Sequence, residues 1–475
     1  MTTTTVRPTW ARPALAPGRR AQAIPHLALA AALFATYTLT SVLRYHRYGS
    51  PSWDLSIFTE AVKAYAHLHT PVVPIKGEGF NILGDHFSPV TTLLAPAWWI
   101  APTPITLLVA QAALFAWSAG IISATAEQLL GRARGLCIGI AYGLSFGILR
   151  ANDFEFHEIA FAVPLIAMVS RQLLLKRWTR TAWWALPLLL VKEDLGLTVA
   201  TAGILIVVLG RKKLLGATLT VVALAAVAVT IWYVIPHYSP THGYQYWDKI
   251  PGGTHPTWWH MATSAITRLP TWKTLGWTFG ITGLLALRSP LALLAAPTLV
   301  WRLASANPGF WGTGAHYSAT LMPVLFLAAA DAAVRGRHSR RMWLRQYTDR
   351  AITALPAVAI ACMAALNMGP GDLARGAAWD GGKVADARTA VTKLIPNGAT
   401  VEATNAIGSH LAERTDLQWI GGSKTRPPDY VILDHSDWGE APQGDAGVRY
   451  AQAVHPGTTY RVVFERDGIT VVSRT

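Results

Sequence analysis

The chain has 475 residues, of which 52% are hydrophobic and only 14% charged, and its formal net charge is +15. Soluble domains carry about a quarter charged residues, and several apolar runs here approach the ~20 residues that span a bilayer, so a soluble globular protein is excluded. The basic excess lies between apolar runs, as loop anchors on the inner side of a membrane do, which excludes a phosphate-binding groove for nucleic acid.

Residues 1–23 form a polar tail whose Arg7, Arg12, Arg19 and Arg20 hold it inside the cell. No small-residue cleavage site clearly follows the first apolar run, 24–44, which is read as a retained outward helix. Loop 45–88 lies at the outer face. Within it, Leu55, Phe58, Val62 and Tyr65 fall at helical spacing, predicting a helix over 54–69 that lies flat on the membrane surface. Segment 89–101 is too short to span and reads as half of a broken passage. Segments 105–130, 136–149 and 159–175 cross in turn. Basic residues flank 182–210 at both ends, so it is read as two short helices meeting at Lys192-Glu193-Asp194.

Segment 214–235 leads out to a loop, 236–261, rich in His, Trp and Tyr. Its His237, His242, His255 and His260 are irregularly spaced, which suits a covering or acceptor-binding loop better than a metal site. Segments 272–287, 291–303, 317–334 and 351–367 complete about ten to twelve membrane passages. The last stretch, 369–475, is polar, with a helix over 384–395, strands at 400–404, 429–434 and 460–465, and a hairpin turn at Arg466-Asp467-Gly468. The fold class is therefore a polytopic α-helical membrane protein over 24–368 with a small extracytoplasmic α/β domain over 369–475. Cys137 and Cys362 both fall in apolar runs and offer no disulfide framework.

Ionisable residues beside a bilayer are costly unless paired or used. Oriented by loop charge, Asp54, Asp85-His86, Asp153 to Glu158, Lys192-Glu193-Asp194 and His316 all reach the outer face. Asp54 can take the proton of an attacking hydroxyl; the plainer role is N-cap of the following helix. Asp85-His86 can hold a phosphate or a metal, or simply sit at the interface. Asp153 and His157, four apart, would share a helix face. Lys192 can grip a lipid-linked phosphate, or pair with its neighbours to hold a helix break. His316 can bind phosphate or anchor the interface with Tyr317. Asp429 and Asp434 flank a strand and are assigned to turn caps. No phosphate-cradling Gly-x-x-x-x-Gly-Lys-Ser/Thr loop and no Asp-x-Asp arrangement occurs, which favours a lipid-carried donor used outside the cell.

Several stretches carry a resemblance: Trp53-Asp54-Leu55-Ser56-Ile57-Phe58, Gly84-Asp85-His86-Phe87-Ser88-Pro89, Phe154-Glu155-Phe156-His157-Glu158, Lys192-Glu193-Asp194, His316-Tyr317 and Pro428-Asp429-Tyr430-Val431-Ile432-Leu433-Asp434. In this order they resemble a bacterial family of predicted membrane proteins of unknown function (domain of unknown function 2079). The resemblance implies a fold similar to the GT-C glycosyltransferases, integral membrane enzymes that use polyprenyl-phosphate sugars, with Asp54 at the place of their catalytic acidic residue.

The expectation is thus a glycosyltransferase of the bacterial plasma membrane, moving a sugar from a polyprenyl-phosphate donor to a cell-envelope glycan, lipid or protein. Asp54, His86, His157 and Glu193 are assigned to catalysis. Asp85, Glu155, Glu158, Lys192, Asp194, His316 and Tyr317 are assigned to substrate binding. Asp85, His86, Glu155 and His157 are the candidates for a divalent cation. A transporter or flippase, with charges along a path through broken helices, is the first alternative; an envelope-binding sensor or scaffold is the second.

Overall fold

A computed structural model describes residues 19–249, 258–374, 376–423 and 425–475. Most of the N-terminal tail, with Arg7 and Arg12, lies outside the described residues, as do His255 and the side chain of His260. Among the described residues, five helices are long and apolar enough to cross a membrane: Ala23–His46, Pro104–Leu130, Arg132–Phe154, Lys213–Tyr238 and Met342–Ala365. Three shorter apolar helices, Ile159–Leu174, Leu195–Gly210 and Pro290–Ala304, join them, and the Leu321–Arg337 helix is buried in their core.

Several expected passages are built from pieces, and proline explains where. Pro89, Pro187 and Pro290 stand at or near the start of tight 3₁₀ turns, because proline tolerates a first helical turn but cannot donate within one. The 182–210 stretch divides as expected: one helix ends at Ala185, Leu186–Leu190 forms a 3₁₀ turn, and a new helix starts at Leu195. Lys192 to Asp194 occupy the gap. The expected 272–287 passage stops early, since Leu269–Gly280 ends in a turn with Gly283 and Leu284 left-handed.

Close approach of helices uses paired small residues. A Cβ on Gly203 would meet the carbonyl oxygen of Gly216 at 2.7 Å, and one on Gly216 would meet that of Gly203 at 2.5 Å. Those glycines let the Leu195–Gly210 and Lys213–Val229 helices touch backbone to backbone. One ionisable pair lies away from the predicted clusters: His26 of α1 (Arg19–His46) meets Glu127 near the far end of Pro104–Leu130.

The helix α2 (Asp54–Ala66) forms where periodicity placed it, but it does not lie flat on a membrane. Leu55, Phe58 and Val62 pack on Trp98, Leu107 and Phe156 of the helical domain. Ile57 and Ala61 pack instead with Val401, Leu417 and Ile432 of the C-terminal domain. Two opposite apolar faces make it the wedge between the two parts.

The C-terminal sheet has strands β1 (Thr400–Ala403), β2 (Asp416–Trp419), β3 (Tyr430–Asp434), β4 (Tyr460–Arg466) and β5 (Ile469–Arg474) in the order β2-β1-β3-β5-β4. The first three are parallel, and β5 runs antiparallel to both β3 and β4. Alternation sends Ile432 and Val471 to the face under Gly382–Leu394, and Val431, Leu433 and Val472 to the other. Two elements escaped the sequence reading. Strand β2 is only four residues long, and Asp445–Val454 is a helix that buries Ala451.

Candidate active site

A cavity of about 570 Å³ opens where α2, the loops at its end of the helical bundle and the C-terminal sheet meet. Asp54, Asp85, His86, His157, Lys192, Glu193, Asp194, His316 and Tyr317 all line it. Glu155 and Glu158 do not; both are buried behind its wall.

Asp54 is the first residue of α2, and the N-cap position before it is Trp53, which makes no side-chain cap bond. The cap comes from elsewhere in the chain. Glu155 accepts the Leu55 N–H at 2.6 Å, placing negative charge at the helix N-terminus where the dipole favours it. The plainer role weighed for Asp54 is therefore filled by Glu155, and the Asp54 carboxylate faces the cavity. Burial raises its carboxyl above the ordinary range, and the charge of His157 opposes that rise.

His157 lies against it. The Phe146–Phe154 helix ends before Glu155, so Asp153 and His157 do not share a helix face as their spacing suggested. Asp153 turns away and accepts the N–H of Gly369 at 2.7 Å, tying down the start of the C-terminal domain. The His157 Nδ1 is 2.7 Å from Glu158 Oε2, and its Nε2 is 3.9 Å from Asp54 Oδ2. The Lys192 ammonium donates to the other Glu158 oxygen at 2.9 Å. Buried Glu158 thus sets both a lysine and a histidine at the cavity wall.

His316 stacks on His157 with ring centroids 3.5 Å apart. Its loop is organised by Arg302, a fully buried residue that the sequence reading passed over. Arg302 donates to the carbonyls of Phe310 at 3.1 Å, Gly312 at 2.7 Å and Tyr317 at 3.2 Å. Its planar fork suits such a loop.

A second network also lines the cavity. Lys76 pairs with Asp85. The Tyr246 hydroxyl donates to Asp85 Oδ1 at 3.2 Å and sits 2.5 Å from His86 Nε2. His86 Nδ1 is 2.8 Å from Glu193, which also accepts from Tyr244 at 3.3 Å. An imidazolium satisfies every contact, donating to Glu193 and to the Tyr246 oxygen while Tyr246 donates onward. Burial and Lys192 lower the His86 affinity for a proton, but Glu193 and Asp85 outweigh them and raise it above the usual value. Burial would raise the Asp85 carboxyl, but His86 and Lys76 hold it below its usual range.

The wide loop does supply cavity residues, but they are Tyr244, Tyr246, Trp247 and Lys249, and neither His237 nor His242 is among them. Lys249 stacks its ammonium over Tyr246 at 3.8 Å. Nothing in the spacing of these aromatic residues or of Lys76 marked them. The lower wall is apolar, made by Leu197, Val227 and Ile231 of two membrane helices.

Among the described residues, Asp85, His86 and Glu155 do not join His157 in a close group of ligand atoms. Among the described residues, the group whose ligand atoms lie within 4.8 Å of one another is Asp54, His157 and His316. An ammonium beside Asp85 already fills the role a cation would have there.

The chain belongs to the family of predicted membrane proteins called DUF2079, whose model matches residues 44–471. No curated protein matches it by sequence. Its fold is similar to that of ArnT from Cupriavidus metallidurans bound to undecaprenyl phosphate, with a TM-score of 0.56 and 13% identity over 96% of this chain and 98% of that one. ArnT in the apo state aligns with a TM-score of 0.55 and 13% identity, over 95% and 98% of the respective chains. The architecture is thus GT-C-like, as the sequence resemblance implied.

Proposed function

We propose that this DUF2079 protein is a membrane glycosyltransferase that moves a sugar from a polyprenyl-phosphate donor to an extracytoplasmic cell-envelope acceptor. The observation that carries this reading is the convergence of a free carboxylate, Asp54, with Lys192, His86 and His316 in one cavity that has an apolar membrane-side wall. The acceptor oxygen bonds to the anomeric carbon as the bond from that carbon to the phosphate oxygen breaks. Asp54 receives the acceptor proton. Lys192, His86 and His316 compensate the charge left on the polyprenyl phosphate. The isoprenoid chain lies against Leu197, Val227 and Ile231.

A transporter would spread such groups along a path between the two membrane faces; here they line one chamber, which favours the enzyme. The basic connections, such as Arg132 and Arg134 beyond Gly131, support a location of the cavity and the C-terminal domain outside the cytoplasm of a bacterial plasma membrane.

Asp54, His157 and His316 also fit a divalent cation. Glu158 Oε2 lies 2.7 Å from His157 Nδ1, and the ring's Nε2 is turned toward Asp54. His316 Nδ1 is buried without a hydrogen-bond partner. When bound, a cation would neutralise charge beside the departing phosphate. Metal content of the purified protein, lost in His316→Ala, checks this.

The test of the function is transfer from synthetic polyprenyl-phosphate sugars by protein in nanodiscs. Asp54→Ala abolishes transfer while insertion and thermal stability persist. Full activity in that variant overturns the mechanism.

A further inference from the structure

Beside Asp54, two tryptophans from different parts of the chain face the same cavity. Trp53 precedes α2, and Trp419 ends strand β2 of the C-terminal domain. Their ring centroids are 5.3 Å apart with planes at 54°. Trp53 stays 49% exposed although its neighbours Ser52 and Leu55 are buried.

The second ring is held in place. The Trp419 indole N–H donates to Ser52 Oγ at 3.3 Å. The loop after it is fixed by Glu402, which accepts from Gly421 at 3.0 Å and Ser423 at 2.8 Å. Ser52 is bonded in turn to the end of β1, donating its N–H to the Asn405 carbonyl at 2.8 Å. The carboxyl ends of parallel strands β1 and β2 therefore point at the cavity mouth, the edge of an open α/β sheet where ligands bind.

We propose that Trp53 and Trp419 form a saccharide subsite that stacks a pyranose ring of the acceptor beside Asp54. This rests on the glycosyltransferase reading. A pyranose presents C–H groups on its faces and hydroxyls at its edge. Rigid indole faces take the first at low cost in ordering. Hydroxyls at the edge meet a rim that is polar, with Asp54, Lys76 and Asn307 on the cavity wall. The isoprenoid chemistry has its own wall in Leu197, Val227 and Ile231, on membrane helices away from the C-terminal domain. The aromatic pair is left for the partner without a lipid anchor at that wall. The C-terminal domain thereby completes the site.

The test is saturation-transfer NMR on the full chain in nanodiscs. The probes are methyl β-glucopyranoside, methyl β-galactopyranoside, methyl α-mannopyranoside and methyl N-acetyl-β-glucosaminide, all without a lipid carrier. At least one receives saturation, concentrated on the protons of one ring face. Trp419→Ala and Trp53→Ala each reduce that signal several-fold, and Trp419→Tyr retains it. Because Trp53 is half exposed, its variant reports binding even if Trp419→Ala disturbs the sheet. No transfer to any probe, or signal unchanged in both alanine variants, overturns the subsite. A signal seen only with the polyprenyl-phosphate sugar also overturns it, placing the donor's own ring on the indoles. Saccharide binding and sugar transfer are read separately on the unsubstituted chain, so failure of the catalytic reading and failure of the subsite are separate results.

Discussion

His157 holds its Nδ1 2.7 Å from Glu158 and its Nε2 3.9 Å from the Asp54 carboxylate. One ring nitrogen is committed to a fully buried acid, so the other is aimed at the group expected to take the acceptor proton. The contact to Asp54 is too long for a hydrogen bond. It leaves the carboxylate open to a hydroxyl or a cation.

Asp54→Asn keeps the size of the side chain and removes its basicity. Since the α2 cap comes from Glu155, the helix persists. Transfer falls about 100-fold or more, the range ascribed to a positioned base, while thermal unfolding is unchanged. Steady-state transfer and a melting curve check both halves.

Glu158→Gln removes the shared partner of Lys192 and His157 and leaves a buried ammonium without its acid. Breaking one side of a buried pair costs about 3–5 kcal/mol. A second change, Lys192→Met, restores stability but not transfer. Melting temperatures of the single and double variants measure the coupling.

The His86 network has a sign in pH. Its proton affinity is raised in the folded chain, so the imidazolium contacts are complete below about 6.5, the ordinary histidine value, and are lost as pH rises through the higher folded value. Transfer therefore declines on the alkaline side. His86→Gln removes that limb from the pH–rate profile, leaving a lower and flatter rate.

Gly84 lies against the backbone that leads to Tyr244 and Tyr246. An added Cβ would be 2.5 Å from Ser239 N and from the Tyr238 carbonyl. Backbone cannot swing aside as a side chain does. Gly84→Ala displaces this segment at about 1–3 kcal/mol, and limited proteolysis within 236–249 accelerates while transfer drops.

His410 is stacked between Tyr45 and Tyr48, each with ring centroids 4.0 Å away, and joins the C-terminal domain to the end of α1. Burial pushes this imidazole down to about 3. The contribution is full above about pH 6.5, the unfolded value, and is lost as pH falls toward the folded one. His410→Phe keeps the stack and removes the acid dependence of stability. His410→Ala weakens the junction at all pH values, by about 0.5–1.5 kcal/mol per lost stack.

Much of the architecture was legible because bilayer length and helical period are local signals. Run length marked α1 and the 105–130 passage, and with basic residues at both ends it marked the break at Lys192 to Asp194. Loop charge grouped Asp54, Asp85, His86, Lys192, Glu193 and His316 at one end before any distance was known. Strand β2 went unread because four residues are too few to show alternation. The surface position assigned to α2 failed because one apolar stripe was counted, whereas Ile57 and Ala61 are a second face, recognisable only once the C-terminal sheet covers them.

The sequence by itself determined which ionisable residues gather at the turns at one end of the helices, since the cost of charge in a bilayer leaves few places for them. Only the tertiary structure decided which of them do which work. Glu155 and Glu158 became supports and Asp54 stayed open, because the cap joins residues 100 apart in the chain and the pair with Lys192 joins residues 34 apart. Lys76, Tyr246, Arg302 and Trp419 entered for the same reason. Each is unremarkable among its sequence neighbours, and its role comes from partners that only folding brings within reach.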